Sequence, residues 1–592
     1  MPTDNTGEDS TERLSSSVEQ PVSSPPLPVE TSGLGGFPLY PVMIAAFPIL
    51  SVYANNIYEV QPHEVWRLLG IALLGCLTVW MVLALLMQHF RKAALAAAFL
   101  TLLFFSYGHF ARVMKNDFSA LTVPLCLTVV IVLLVTLYKN RGSFIQATVI
   151  LNLTAMVLLF PSCLTIIRHI FSKDSSTDRI VALQDNLVIN QETSKNGDTK
   201  TEESAYQSSA SHRPRPISPD AAAQLTDIYY IILDAYGRAD SLKKTYGFDN
   251  TPFIHALESR GFYIADQSRP NYSQTGYCIP CYLNMNYLDV LLAGRAPSQD
   301  TMETSRKLID NNAVAAFLRN RGYHYVYIWT GTEVTHVETA DLELDDKSLT
   351  PPSSFEGQIF EMSALEAFSQ TTQVTLGSKL PYAEHRAYIQ TAFRNLNSVA
   401  KLAFPKFVIA HILAPHPPFV FGPNGEAINP AYHYDESDGS QLLEKITRPE
   451  YIRGYTGQLQ YINKQVLQAV DAILSQSRKP PIIIIQGDHG SRMNMNWESQ
   501  AKTDLPETFS ILNAYLVPAN VRSHLYDSIT PVNTFRVLLS SMFGANYPRL
   551  ADRNYFATSA HPFVFSEVTS VLRTQSSGHK HAAAQAGSRP VQ

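Results

Sequence analysis

Five apolar blocks, near residues 38–55, 67–88, 94–112, 119–138 and 145–170, constrain this chain more than any other feature. The second runs from Leu68 to Met87 without an interior charge, and the fourth from Ala120 to Tyr138. A bilayer core of about 30 Å takes about 20 apolar residues of helix, and blocks of this length fit it. As helices of a water-soluble protein, the same blocks joined by short loops would leave very few residues to form a polar surface. The expectation is therefore a transmembrane bundle of five helices over residues 37–171, although Pro41 and Pro48 interrupt the first block.

Basic residues in the loops orient the bundle. The second loop carries Arg91 and Lys92 and the fourth Lys139 and Arg141, against Arg112 and Lys115 in the third and Arg67 at the edge of the first. That bias favours cytoplasmic loops two and four. With an odd number of spans, everything after Phe171 then lies outside the cytoplasm, as the outer part of an integral plasma- or inner-membrane protein. Residues 1–36 are rich in Ser, Thr, Pro, Glu and Asp. Such a segment cannot bury enough surface to offset its ordering entropy and reads as a disordered tail, too long and too acidic for a signal peptide. The polar run at 172–224 reads as a linker and 573–592 as a second tail. A net charge of −5 excludes a basic nucleic-acid binder. Among five cysteines, Cys76, Cys126 and Cys163 sit in the apolar blocks, while Cys278 and Cys281 form a C-x-x-C pair. No second pair completes a zinc site, and outside the cytosol the two could oxidise to a disulfide; a structural or incidental role is expected.

Residues 225–572 read as one α/β domain. Strand candidates are Tyr229–Leu233, Tyr323–Trp329, Phe407–Ile412, Ile482–Ile485 and Ile511–Val517, separated by helical patterns. In the pattern near 453–476, Tyr455, Leu459, Ile462, Val466, Ala469 and Ile473 share one face. Continuous apolar strands between helices indicate a mostly parallel sheet covered by helices. Ligands bind such sheets beyond the carboxyl ends of the strands. There stand Asp234-Ala-Tyr-Gly-Arg238, the His416-Pro-Pro-Phe419 loop and Gly487-Asp488-His489-Gly490. Two carboxylates and an imidazole from separate strands can converge on one divalent cation.

Taken in order, Ile-Ile-Leu-Asp234, Asn271-Tyr-Ser-Gln-Thr275, His416-Pro-Pro-Phe and Gly-Asp488-His489-Gly resemble the sulfatase branch of the alkaline phosphatase superfamily. The membrane blocks add a resemblance in architecture to lipoteichoic acid synthases and phosphoethanolamine transferases. The resemblance implies a sulfatase-like fold and one divalent metal ion, Mn²⁺, Mg²⁺ or Zn²⁺. Its ligands would be Asp234, Asp488 and His489, completed by the oxygen of the nucleophile, and His416 would contact the substrate's phosphate. The nucleophile matches Thr275. Cys278 is the alternative, since Cys278-Ile-Pro-Cys-Tyr282 follows the sulfatase motif C/S-x-P-x-R except that Tyr282 replaces the Arg; Ser273 is the third candidate. No second metal set is evident, and His336, His411 and His561 read as surface or locally hydrogen-bonded residues. The implied function is metal-dependent transfer or hydrolysis at phosphate or sulfate esters. Its leading form is transfer of a phospho-headgroup from a bilayer lipid to a cell-envelope acceptor such as a glycan. Simple ester hydrolysis and a non-catalytic surface domain are the alternatives.

Overall fold

The computed structural model describes residues 36–57, 60, 62–113, 119–140, 142, 144–192, 214–292, 299–345, 354–365, 380–432, 434 and 437–574. Lys115, Arg141, the expected tails through 35 and from 575, and residues 193–213 of the expected linker lie outside the described residues.

The chain begins with helices α1 (Tyr40–Asn55), α2 (Pro62–Met87), α3 (Phe90–Val113), α4 (Ser119–Lys139) and α5 (Ile145–Glu192). Three of them, α2, α3 and α5, contain stretches long and apolar enough to cross a membrane, while α1 and α4 offer shorter apolar stretches among the described residues. Helix α5 continues past residue 171, into the stretch expected as linker. Large apolar side chains stand exposed on the outer faces, among them Leu74, Met81 and Leu85 of α2 and Ile150, Val157 and Phe160 of α5. A water-soluble surface rarely carries so continuous an apolar patch, whereas lipid accepts it without cost. Inside, Ala93, Ala94, Ala97 and Ala98 of α3 pack in one cluster with Tyr40 and Trp80, small residues that let helices approach closely. The free N–H groups at the start of α1 are satisfied from α5: Leu39 and Tyr40 both donate to Asn152 Oδ1 at 2.9 Å.

The part that follows these helices is built on a seven-stranded sheet. Its strands are β1 (Ile228–Leu233), β2 (Tyr263–Ile264), β3 (His324–Ile328), β4 (Leu342–Leu344), β5 (Lys406–Ile412), β6 (Ile482–Gly487) and β7 (Asn513–Leu516), in the order β2-β7-β6-β1-β5-β3-β4. All pairings are parallel except those that β7 makes with β6 and β2. Every residue of β1, β5 and β6 is buried, which explains why they read as nearly continuous apolar runs, with Lys406, His411 and Gln486 the polar exceptions. Side chains alternate across the sheet: Tyr229, Ile231 and Leu233 enter one core, and Ile228, Tyr230 and Ile232 the other.

Five further helices matter for the site: α6 (Thr275–Leu283), α7 (Ser354–Met362), α8 (Leu380–Val399), α9 (Arg448–Gln476) and α10 (Thr534–Phe543). Helices α8 and α9 cover the first core, through Ile389, Phe393 and Leu396 and through Tyr455, Leu459, Ile462 and Val466; α10 covers the second through Phe535 and Leu538. The start of α9 is fixed by a capping box between Thr447 and Glu450.

Helix α7 joins the two parts of the molecule. Phe355 and Ile359 pack with Ile49 and Tyr53 of α1, Val65 of α2 and Phe105 of α3. Glu356 pairs with Arg67 of α2, and Ala364 N–H donates to the Phe104 carbonyl at 2.8 Å. Phe355 is only 1 % exposed, and truncating such a residue costs about 3–5 kcal/mol. Phe355→Ala is therefore expected to make residues 354–365 readily cleaved by protease in detergent while the sheet stays resistant; an unchanged digestion pattern would show that the contact contributes little.

Candidate active site

The register of three parallel strands builds the site. Leu233 lies opposite Ile412 of β5 on one side and Gly487 of β6 on the other. The residues that follow on β1 and β6, Asp234 and Asp488, therefore leave the sheet side by side, on strands about 4.8 Å apart. The turn after β6 is crowded. A Cβ on Gly487 would lie 2.5 Å from the Tyr236 carbonyl, and one on Gly490 only 2.2 Å from the Glu507 carbonyl. On the β1 side, Ala235 takes a left-handed φ of 60° and donates its N–H to Asp488 Oδ1 at 3.2 Å. A strained backbone held by the neighbouring loop is common where a site must be preorganised.

Helix α6 brings Thr275 onto this edge as its first residue. Thr275 Oγ1 donates to Asp488 Oδ2 at 2.7 Å and lies 3.2 Å from His489 Nε2. His489 Nε2 is itself 3.3 Å from Asp234 Oδ1 and 3.3 Å from Asp488 Oδ2. The other ring nitrogen, Nδ1, faces the Gly490 carbonyl at 2.9 Å. A carbonyl only accepts, so Nδ1 carries the proton and Nε2 turns its lone pair toward the carboxylates.

Asp234, Asp488 and His489 are all buried, and their ligand atoms lie within 4.8 Å of one another. Among the described residues, none donates a hydrogen bond to the buried Asp234 Oδ1. Two carboxylate oxygens and an imidazole lone pair aimed at one point repel one another, an arrangement that a cation relieves. The donor set fits a divalent ion, and oxygen with imidazole suits Mn²⁺, Mg²⁺ or Zn²⁺.

Histidines crowd Asp234. Burial alone would raise its pKa, but His416 and a hydrogen bond from His411 hold the carboxyl well below the usual range. His416 is placed by its backbone: its N–H donates to the Asp234 carbonyl at 3.1 Å and its carbonyl accepts from Gln458 Nε2 at 2.9 Å. Its Nε2 is 3.4 Å from Asp438 Oδ1. His385 of α8 is pushed down to about 4 by burial and by His416, and so stays neutral.

The alternative nucleophiles sit elsewhere. Cys278 is fully buried and its thiol donates to the Tyr272 carbonyl at 3.2 Å. Burial and then Asp488 push its pKa up, so the thiolate is disfavoured. Cys278 and Cys281 are free thiols inside an aromatic cluster with Tyr272 and Tyr277, not a disulfide. Ser273 is buried, and its carbonyl accepts from Arg492 Nη1 at 2.8 Å. Tyr282, in place of the motif arginine, donates its hydroxyl to the Asp488 carbonyl at 2.8 Å.

Of the three histidines expected away from the site, His336 faces Glu343 and packs on Trp329, and His561 is exposed in a loop. His411 departs from that expectation: as the penultimate residue of β5 it projects beside β1, with Nε2 3.4 Å from Asp234 Oδ2 and Nδ1 3.0 Å from Thr335 Oγ1. Sequence reasoning missed Asp438 and Arg492 altogether. Arg492 follows His489 by only three residues, a signal that was available; Asp438 lies in a polar run with no pattern to mark it.

Glu507 braces the loop after His489 from beneath. It accepts from Tyr246 Oη at 2.9 Å, Met493 N at 3.0 Å, Ser491 Oγ at 3.1 Å and Asn494 Nδ2 at 2.7 Å. Burial drives its carboxyl up to about 7, against the pull of hydrogen bonds from Asn494, Tyr246 and Ser491. A pKa raised on folding stabilises the fold below the unfolded carboxyl value, and that contribution is lost as pH rises through the folded value. The parent protein should therefore lose thermal stability relative to Glu507→Gln between about pH 4.5 and pH 7; parallel melting curves for the two across that window would count against it.

The family model for sulfatases matches residues 226–524, just over half of the 592 residues. No match is found among curated protein sequences. Among solved structures, the chain is similar to the C-terminal periplasmic domain of EptC from Escherichia coli, at 12 % identity, 60 % coverage of this chain and 96 % of that one, with a TM-score of 0.36. It is also similar to the integral membrane lipooligosaccharide phosphoethanolamine transferase A from Neisseria meningitidis, at 12 % identity, 86 % and 95 % coverage and a TM-score of 0.36. A protein of the alkaline phosphatase superfamily from Vibrio parahaemolyticus gives 13 % identity, 64 % and 81 % coverage and a TM-score of 0.33.

Proposed function

Because the chain belongs to the sulfatase family, enzymes that act on phosphate or sulfate esters, we propose that it transfers a phospho-headgroup from a bilayer lipid to a cell-envelope acceptor through Thr275. The observation that carries this reading is the Thr275 hydroxyl, within 2.7 Å of Asp488 Oδ2 and 3.2 Å of His489 Nε2 at the mouth of the buried ligand cluster. The apolar helices support a lipid donor, since a bilayer amphiphile would present its headgroup where those helices meet the sheet-bearing part.

Asp234, Asp488 and His489 would hold one divalent ion, with Thr275 Oγ1 beside it. Such an ion lowers the pKa of an adjacent hydroxyl and offsets negative charge on the ester's oxygens. The chain's own residues supply the rest. A threonine hydroxyl is a weak nucleophile at neutral pH. Asp488 Oδ2 orients it and takes its proton as Oγ1 attacks the phosphorus, then hands that proton to the lipid oxygen as its bond to phosphorus breaks and the alcohol departs. The covalent phospho-threonine then passes its headgroup to an acceptor hydroxyl, which breaks the bond to Oγ1 and returns the proton. His416, fixed by its backbone bonds to Asp234 and Gln458, would contact the phosphate.

The topology belongs to the same reading. Arg91, Lys92 and Lys139 support cytoplasmic loops after α2 and α4, which puts the sheet outside. A reporter active only outside the cytoplasm, fused after Arg573, should be active; silence there with a live cytosolic reporter would overturn the orientation.

The chemistry is tested with labelled phospholipid, with and without a glycan acceptor. Label should move only when the acceptor is present, whereas release into water alone would make the protein a hydrolase. Thr275→Ala should abolish turnover, by at least about 10³-fold, while metal content persists. His489→Ala should lower metal content and turnover together. Cys278→Ser should keep substantial activity, and mass spectrometry of residues 270–295 should find the phospho-adduct on Thr275. An aldehyde at Cys278 would sink the assignment.

A further inference from the structure

Two buried side chains that no ligand role absorbs, Asp438 and Arg492, touch both halves of the site. We propose that they form a brace that fixes the spacing between the Thr275 loop and His416, which makes both of them positioning residues for the transfer step. This rests on the roles given above to Thr275 and His416.

The brace can be followed atom by atom. Arg492 Nη2 pairs with Asp438 Oδ2. Arg492 Nη1 donates to the Ser273 carbonyl at 2.8 Å, two residues ahead of Thr275. The other oxygen of Asp438, Oδ1, faces His416 Nε2 at 3.4 Å. The chain His416–Asp438–Arg492–Ser273 thus spans the site without using Asp234, Asp488 or His489. All four residues are buried.

Only arginine can do this. Its rigid fork offers two N–H groups at a fixed angle to two different acceptors, where a lysine ammonium acts as a single point charge. Burial and pairing also depend on each other, since either charge left alone in this interior would be costly. The backbone is shaped to the same end. Gly439 takes a φ of +49°, and a Cβ there would lie 2.3 Å from the Arg492 carbonyl. The two loops therefore meet backbone to backbone, and glycine is required at the contact.

Such a brace matters in the transition state more than in substrate binding, because a nucleophile displaced by about 1 Å can lose about 10²-fold in rate. The test uses the full-length protein in detergent with the lipid donor and acceptor, comparing the parent with Arg492→Gln, Arg492→Lys, Asp438→Asn, Gly439→Ala and the double variant Asp438→Asn/Arg492→Gln. Each single variant should lose about 10- to 100-fold in kcat, with KM within about threefold and metal content unchanged. Lysine should rescue only in part. The double variant should be no worse than its worse single, as expected of residues acting as a unit. Independently of activity, Arg492→Gln and Gly439→Ala should each speed hydrogen exchange in both 271–277 and 437–444, leaving 228–233 protected. Parental kcat in the single variants, multiplying losses in the double, or faster exchange confined to 490–494 would each overturn the brace. A parent that moves no label at all would instead overturn the transfer reading, and the exchange experiment would still decide the brace.

Discussion

Everything at the site depends on the register by which β1 pairs with β5 and β6. With Leu233 level with Ile412 and Gly487, three chains leave the sheet at one height. A slip of one residue on either strand would turn the following side chain to the opposite face. Asp234 and Asp488 would then separate, and His416, which hangs by its N–H from the Asp234 carbonyl, would lose its anchor. The burial of all three strands on both faces makes such a slip expensive, since each buried Ile or Leu contributes about 1.5–3 kcal/mol. The sheet's apolar core is in this sense what holds two like charges together.

Those charges are then managed locally. Asp234 is surrounded by His411, His416 and His489, and the carboxyl is held ionised although burial opposes it. A carboxyl kept charged away from solvent is ready for a cation, and such a site is also at risk of collapse if its neighbours move. The strut from Glu507, the Tyr282 hydroxyl on the Asp488 carbonyl and the Asp438–Arg492 pair all restrain backbone or side chains around the cluster without joining it. The geometry of the three candidate ligands is thereby restrained by four further side chains.

How much of this was legible in the sequence follows from what each feature requires. Periodicity and apolar runs expose strands and helices directly, so β1, β5, β6 and α9 fall within a few residues of their expected limits. The apolar blocks near 38–55 and 119–138 also fold as helices, but among the described residues three helices are long and apolar enough to cross a membrane. Asp234, His416, Asp488 and His489 were visible because the ends of parallel strands are where ligands bind, and Thr275 because a motif leads to it. His411 was not, because its role comes from alternation within a buried strand, where an imidazole facing a carboxylate looks like any core polar residue. Asp438 was hidden for a different reason: its partners lie 22 and 54 positions away in sequence, and nothing local distinguishes a bracing carboxylate from a solvated one. The docking of α7 against α1, α2 and α3 was equally silent, since an amphipathic turn does not say which surface it will cover.

The choice between threonine and cysteine shows how environment, not residue type, sets reactivity. As an isolated side chain, Cys278 is the stronger candidate, since a thiol ionises far more readily than a hydroxyl. The fold reverses that order. Cys278 stands three residues into α6, where Tyr272, Tyr277 and Tyr282 enclose it and Asp488 raises the cost of a second negative charge. Thr275, at the first residue of the same helix, meets an acceptor for its proton at 2.7 Å and lies beside the imidazole. Tyr282 completes the inversion. An arginine at that position would bring a positive charge to the thiol and favour its ionisation; a tyrosine instead spends its hydroxyl on the Asp488 carbonyl. With that cation absent, the surroundings favour the Thr275 hydroxyl, which has Asp488 Oδ2 to accept its proton, over the Cys278 thiol.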